Sequence, residues 1–164
     1  LYNYFPSKEA LFETVVRTYS THFLTEAAQE LADHEADALS LEQKLTRFGE
    51  RMLGVLARDM QALALYRVVV GEAGHSDIGA LFYEAGIRES MEGLAALMRQ
   101  HIATGELVNA DAMLRAKQFS ALLKAEADDL LLQRETSPYS QRAIAAMVAS
   151  AVDLFLGGAR RAGK

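Results

Sequence analysis

Apolar residues recur every three or four positions through most of the chain, which is the period of an α-helix. An early stretch shows it at Leu11, Phe12, Val15, Val16, Tyr19 and Phe23. A second stretch repeats it at Leu41, Leu45, Phe48, Met52, Val55 and Leu56. Strand-like alternation is scarce, so the pattern predicts an all-α protein. The helices are expected at roughly 8–33, 41–58, 60–73, 77–104, 110–132 and 138–161.

Capping chemistry marks several of the predicted helix ends. Ser40 with Gln43 three residues later is typical of a capping box, in which each side chain binds the other's backbone N–H. Gly105 suits the position just after a helix, where a left-handed backbone is common. Ser137 followed by Pro138 suits the start of the last helix.

The last predicted helix is apolar on more than one face. Within AIAAMVASAVDLF, residues 143–155, only Ser150 and Asp153 are polar. One face can pack on the chain's own body, and a second subunit is the simplest cover for the other, so the pattern favours a homodimer through the last two helices. A central helix of a monomer is the alternative. The predicted interface residues are Phe119, Leu122, Leu123, Glu126, Val148, Val152 and Phe155.

Composition narrows the class of protein. The chain has 164 residues, 2 Pro and 11 Gly, which suits one ordered domain. Its formal charge of -5 argues against a broad nucleic-acid surface on this part of the molecule. It contains no Cys, so thiolate metal sites are excluded, and we expect no metal and no cofactor. The longest apolar run, Ala143 to Ala149, is short of the ~20 residues that cross a bilayer, so we expect no membrane partner.

The opening stretch LYNYFPSKEALFETVV resembles the TetR family of bacterial transcriptional regulators. In that family, a recognition helix ends in a similar aromatic pattern, and a short turn and a Lys-Glu start to the next helix follow. The segments LYRVVVGEAGHSDIGALFYEAGIRESMEGLAALM and AMVASAVDLFLGGAR look like the regulatory domain of an AefR-like subgroup. The resemblance implies that residues 1–8 are the end of a helix-turn-helix DNA-binding domain and that 9–164 form a ligand-sensing and dimerisation domain. It also implies that the preceding helices are missing from this chain.

The resemblance further implies a mechanism and a set of site residues. A dimeric cytoplasmic repressor would bind operator DNA and be released by a small hydrophobic or cationic effector. Tyr2, Tyr4 and Lys8 match family positions that contact DNA, mainly phosphate. The candidates for the wall of an effector pocket of ~300–1,000 Å³ are Tyr19, Phe23, Phe48, Met52, Tyr66 and Phe82. The same residues could instead be plain core.

Two other classes of protein compete with this interpretation. An enzyme would be expected from Glu72 and His75, which have the Glu-x-x-His spacing of di-metal bundles, but the chain has a single copy of that motif. No P-loop, Rossmann fingerprint or G-x-S-x-G sequence occurs, so an enzyme is not predicted. A helical homodimeric interaction module without a ligand or DNA role remains the alternative function.

Overall fold

The computed structural model describes residues 38–57 and 60–160, with isolated positions at 10, 14, 26, 27 and 29–31. Within these ranges the chain is helical, as predicted, and no β-strand occurs. The helices are α1 (Leu41–Leu56), α2 (Met60–Glu72), α3 (Ile78–Phe82), α4 (Arg88–Ala103), α5 (Ala112–Leu123) and α6 (Gln141–Ala159). A π-helical turn, Tyr83–Ile87, joins α3 to α4, and a 3-10 helix, Ala127–Leu132, follows α5.

The start of α1 and the end of α4 are set by local chemistry, as the sequence predicts. At the start of α1, the Ser40 hydroxyl accepts from the Gln43 N–H, and the Gln43 side chain accepts from the Ser40 N–H. Both bonds of the capping box are therefore present. After α4, Gly105 has a φ of 84°, a left-handed conformation that glycine adopts without steric cost.

Two predicted boundaries are wrong. The last helix begins at Gln141 rather than near Pro138, because Ser140 caps it by accepting from the Ala143 N–H at 3.0 Å. The Tyr139 N–H is already used, since it donates to the Ala57 carbonyl at 2.9 Å. The helix predicted over 110–132 is interrupted after Leu123, and the 3-10 segment that follows buries Ala127 and Leu130 instead.

The core forms where α1, α4, α5 and α6 meet. Helix α1 packs against α6, and α5 packs against both α4 and α6. At the centre of this arrangement, the rings of Phe119 and Phe155 lie 5.2 Å apart. A separate small cluster of Val69, Ile78 and Phe82 joins α2 to α3. The described part of the chain therefore has two hydrophobic clusters, a large one and a small one beside it.

Helix α6 is long and apolar enough to cross a membrane by length and composition alone. Its Ile144, Val148, Val152 and Phe155 side chains are buried in the chain's own core. Contact with α1 and α5 covers that face. This arrangement is typical of the core helix of a globular domain.

Candidate functional site

A pocket lies at the seam between the two hydrophobic clusters. Its volume is about 60 Å³, which is smaller than the range that the resemblance led us to expect. Every lining residue is buried or half-buried, and most are apolar. Side chains meet here from α1, α2, α3, the π-helical turn, α4 and the end of α5. The lining residues are Met52, Leu56, Tyr66, Phe82, Ile87, Ser90, Met91, Ser120 and Lys124.

Ser90 is the unusual member of this lining. Its side chain is 0% exposed, and its Oγ has no hydrogen-bond partner among the residues that the structure describes. A helical serine can bond back to the carbonyl four residues earlier, here Gly86, but Ser90 does not. A buried hydroxyl without a partner costs about 1–3 kcal/mol, so its position in a pocket wall calls for an explanation.

The backbone next to Ser90 is also unusual. Residues Tyr83–Ile87 form a π-helical turn, and the Arg88 N–H accordingly bonds to the Tyr83 carbonyl, five residues back. Such turns are rare and are frequently found at functional sites, because they shift the side chains that follow relative to the helix before them. The turn ends at Ile87, which itself lines the pocket.

Tyr66 and Phe82 form the side of the pocket that belongs to the small cluster. Their ring centroids are 6.0 Å apart and their planes are tilted by 55°. Burial raises the pKa of the Tyr66 phenol, and the negative charge of Asp128 raises it further. A phenol is protonated at neutral pH and can donate a hydrogen bond, and the raised pKa extends that state to higher pH.

The residue next to Tyr66 does not face the pocket. The Arg67 guanidinium donates to the Leu130 carbonyl and, at 2.7 Å, to the Gln133 carbonyl. These bonds hold the end of the 3-10 helix against α2. Consecutive residues of α2 therefore contact the pocket and the segment that follows α5.

Three of the predicted pocket residues meet in the pocket. Met52, Tyr66 and Phe82 line it. Phe48 does not line it: this residue is 1% exposed and is packed in the large core, one turn before Met52 on α1. Tyr19 and Phe23 lie outside the described residues, as do the predicted DNA contacts Tyr2, Tyr4 and Lys8.

The polar part of the lining is not predicted by the sequence. Ser90 and Ser120 lie in helices and Lys124 in the turn that ends α5, and no motif distinguishes them. Ser120 and Lys124 are four residues apart, so they share one face of a helix. That spacing is the one feature of the sequence that could have indicated that Ser120 and Lys124 lie side by side. Nothing in the sequence around Ser90 marks it as buried without a partner.

A groove lies on the other side of α5, between its C-terminal end and α6. Its volume is about 430 Å³. Several of its residues are exposed, and Leu154 is exposed by 65%. The lining is mostly small or apolar and consists of Leu122, Leu123, Ala125, Glu126, Ala143, Ala146, Met147, Ser150, Ala151 and Leu154.

The predicted dimer interface agrees with this groove only in part. Leu122, Leu123 and Glu126 line it. The other four residues, Phe119, Val148, Val152 and Phe155, are buried in the core of the single chain, with exposures between 0% and 5%. Their side chains are covered within the single chain and are not part of the groove lining. The exposed side of α6 is one step around the helix, at Ala146, Ser150 and Leu154.

The Glu72 and His75 pair does not form part of a site. Glu72 is the last residue of α2, and His75 lies in the exposed turn after it, where its N–H donates to the Glu72 carbonyl at 2.8 Å. No group of three or more potential metal ligands forms in the part of the chain that the structure describes.

Solved structures with the same fold are transcriptional regulators of the TetR type. A protein assigned to the TetR family from Mesorhizobium loti MAFF303099 aligns with a TM-score of 0.81 and 20% identity, over 98% of this chain and 79% of its own. The flavonoid-responsive regulator FrrA aligns with a TM-score of 0.71 and 24% identity, over 99% and 80%. A TetR regulator from Agrobacterium tumefaciens aligns with a TM-score of 0.66 and 22% identity, over 99% and 77%.

The sequence defines the family more narrowly. Residues 43–158 match the C-terminal domain of AefR-like transcriptional repressors, and the chain belongs to this family. No curated protein sequence matches the chain. The family consists of transcriptional regulators, so the predicted resemblance is confirmed, and so is the prediction that the chain is not an enzyme.

Proposed function

We infer that this chain is the effector-binding and dimerisation part of a cytoplasmic repressor. The repressor binds operator DNA as a homodimer and releases it when a small hydrophobic molecule enters the pocket. The observation that carries this proposal is the unpartnered Ser90 hydroxyl in an otherwise mostly apolar pocket wall. A polar group without a partner in such a wall gives an effector an orientation as well as a place to bind.

The position of α5 supports a link between effector and dimer. Ser120 on this helix and Lys124 just after it line the pocket, and Leu122 on the helix and Glu126 in the following turn line the groove. An effector that binds one position of α5 better than another shifts the population towards that position. Typical coupling of this kind is about 1–3 kcal/mol, which is roughly a 5- to 150-fold change in affinity for DNA.

A second copy of the chain is the proposed occupant of the groove. The groove runs along α6, where Ala146 and Ser150 leave room for another helix to approach closely. The exposed Leu154 would lose contact with water in such a pairing. A two-fold arrangement of α5 and α6 from each chain would form a four-helix interface.

Contact with DNA is proposed for Tyr2, Tyr4 and Lys8. This rests on the resemblance of the opening sequence to the end of a recognition helix. The tyrosine hydroxyls would donate to phosphate oxygens, and Lys8 would add a positive charge at the start of the next helix. These contacts would position the protein on DNA and carry little sequence information.

FrrA offers a guide to the effector. Its name states that it responds to flavonoids, which are apolar ring molecules carrying oxygen groups. The pocket described above likewise combines apolar walls with a few polar side chains. An apolar molecule with an oxygen-containing group is therefore a reasonable effector class for this chain too.

The proposal is tested with the full gene product and DNA from the region upstream of its own gene. Fluorescence anisotropy should show binding at low salt, weakening steeply as salt rises. A panel of small hydrophobic compounds should include at least one that releases the DNA. Lys8→Ala should weaken binding to all sequences alike, and Lys117→Ala, on the exposed surface of α5, should not. A protein that dimerises but binds no DNA from that region would instead be an interaction module.

A further inference from the structure

The polar groups around the pocket are all able to donate hydrogen bonds. Ser90 and Ser120 offer hydroxyls, and Lys124 offers an ammonium group. Tyr66 offers a phenol, which is protonated at neutral pH. None of the residues that line the pocket is an acceptor only, since no Asp or Glu is among them. A ligand group that only accepts can therefore bond to any of these four side chains.

The charge of the pocket also favours a ligand group that accepts hydrogen bonds, in particular an anionic one. Lys124 is the one charged residue in the lining, and the acidic residue that acts on Tyr66, Asp128, is not part of that lining and is itself exposed. Lys124 has no ion pair with any residue that the structure describes. A cationic ligand would bring a like charge beside this lysine in a mostly apolar site, which is unfavourable. An anionic group would be attracted to it.

The volume limits the size of the ligand. One buried water needs about 10–15 Å³ of this kind of volume, so about 60 Å³ corresponds to a few water-sized spheres. Covalently bonded atoms lie closer together than waters, so a single ring with one short substituent is of the right size. Met52 and Met91 in the lining are flexible enough to adjust to its shape.

We propose that the effector is a small apolar carboxylic acid of about one ring, whose carboxylate is bound by the polar lining residues Ser90, Ser120 and Lys124. This inference rests on the proposed function, because it names the class of effector for the same site. A carboxylate has two oxygens that only accept, so one oxygen can take the Ser90 hydroxyl hydrogen while the other faces Lys124. The apolar ring then lies against Phe82, Met52 and Met91.

The test uses benzoate, benzamide and benzylamine, which share a ring and differ in charge. Isothermal titration calorimetry on the purified chain, without DNA, should give the order benzoate, then benzamide, with benzylamine undetected. Lys124→Met should reduce the affinity for benzoate by about tenfold or more and leave benzamide within about twofold, because only the charge contact is removed. Lys117→Met, on the same helix and outside the pocket, is the matched control and should change neither.

Ser90→Ala should weaken benzoate and benzamide together, since both present a carbonyl oxygen to the hydroxyl. Equal or tighter binding of benzylamine in the unchanged chain would overturn the proposal, as would benzoate binding that is indifferent to Lys124→Met. Because DNA is absent, benzoate binding to a protein that never binds an operator would contradict only the proposed repressor function. Release of an operator by neutral or cationic compounds and never by carboxylates would contradict only this inference.

Discussion

The two sides of α5 are built differently. On one side lies a small pocket of about 60 Å³, whose lining is buried or half-buried throughout. On the other side lies a groove of about 430 Å³, several of whose lining residues are exposed. The pocket combines large apolar side chains with hydrogen-bond donors, whereas the groove is rich in alanine. The first suits a small molecule, and the second suits another helix.

The difference shows how one helix can serve two surfaces. Ser120 lies in α5 and faces the pocket with Lys124, the residue after its end, whereas Leu122 in α5 faces the groove with Glu126 in the turn that follows. The 3-10 helix that follows is held to α2 by Arg67, next to the pocket residue Tyr66. We expect any shift of the end of α5 to change both surfaces together.

The largest effect on stability is expected from a charge introduced on α6, which has one side in the core and another along the groove. Val148 is 0% exposed, so Val148→Glu would bury a charge without a partner and cost about 3–5 kcal/mol or more, which can unfold the domain. Ala146→Glu changes an exposed groove residue and should leave the fold intact, within about 0.5 kcal/mol for the isolated chain. Circular dichroism melts compare the two variants.

The same two variants also test whether the groove is the dimer interface. If a second copy occupies it, Ala146→Glu should stay helical and sediment as a monomer. A folded Ala146→Glu variant that keeps the mass of a dimer would place the interface elsewhere. Val148→Glu alone cannot decide this, because loss of the dimer would follow from loss of the fold.

The next largest effect on stability is expected where α1 closely contacts α5 and α6. A Cβ atom added to Gly49 would lie 2.7 Å from Leu123 Cδ2 and 2.8 Å from Val148 Cγ1. Gly49→Ala should therefore destabilise the chain by about 1–3 kcal/mol through overpacking. Gly54 on the same helix has nothing within 4 Å of the added atom, and Gly54→Ala should stabilise by up to about 1 kcal/mol. Urea unfolding should show opposite signs, and a loss at both positions would contradict the packing argument.

A smaller difference in stability is expected between substitutions of two serines that have different surroundings. Ser140 Oγ accepts the Ala143 N–H at the start of α6, so Ser140→Ala should cost about 1 kcal/mol. Ser90 Oγ has no partner among the described residues, so Ser90→Ala should be neutral or stabilising by about 1 kcal/mol. Thermal unfolding measures both. A loss of stability in Ser90→Ala comparable to that in Ser140→Ala would mean that Ser90 is already satisfied.

The smallest expected effect is a change in alkaline stability from Tyr66. Burial, and then the charge of Asp128, raises the pKa of Tyr66 above its usual value of 10.0. Above about pH 10 the unfolded state therefore loses this proton more readily than the folded state, and stability falls as pH rises. Tyr66→Phe should flatten that fall, and Asp128→Asn should reduce it in part. Urea unfolding between about pH 9 and 11 tests this, and identical slopes in all three proteins would contradict it.

The sequence by itself determined the helices and the family. Capping by Ser40 and Gln43 and the left-handed turn at Gly105 depend on groups a few residues apart, so they can be recognised without the fold. The AefR-like resemblance likewise followed from contiguous segments, and the match over residues 43–158 confirms it. The start of α6 was predicted less well, since Ser140 and the contact of Tyr139 with Ala57 compete with Pro138.

Only the tertiary structure decided which neighbour covers each apolar residue. Phe48 and Met52 are one turn apart on α1, yet Phe48 lies in the core and Met52 lines the pocket. On α6, Val148 is buried in the core while Leu154 is exposed beside the groove. Periodicity indicates that a helix face is covered, but it does not say by what, because that depends on residues distant in sequence. Ser90 is a further case: its burial beside Ser120 and Lys124 in the pocket lining depends on segments that are distant in sequence.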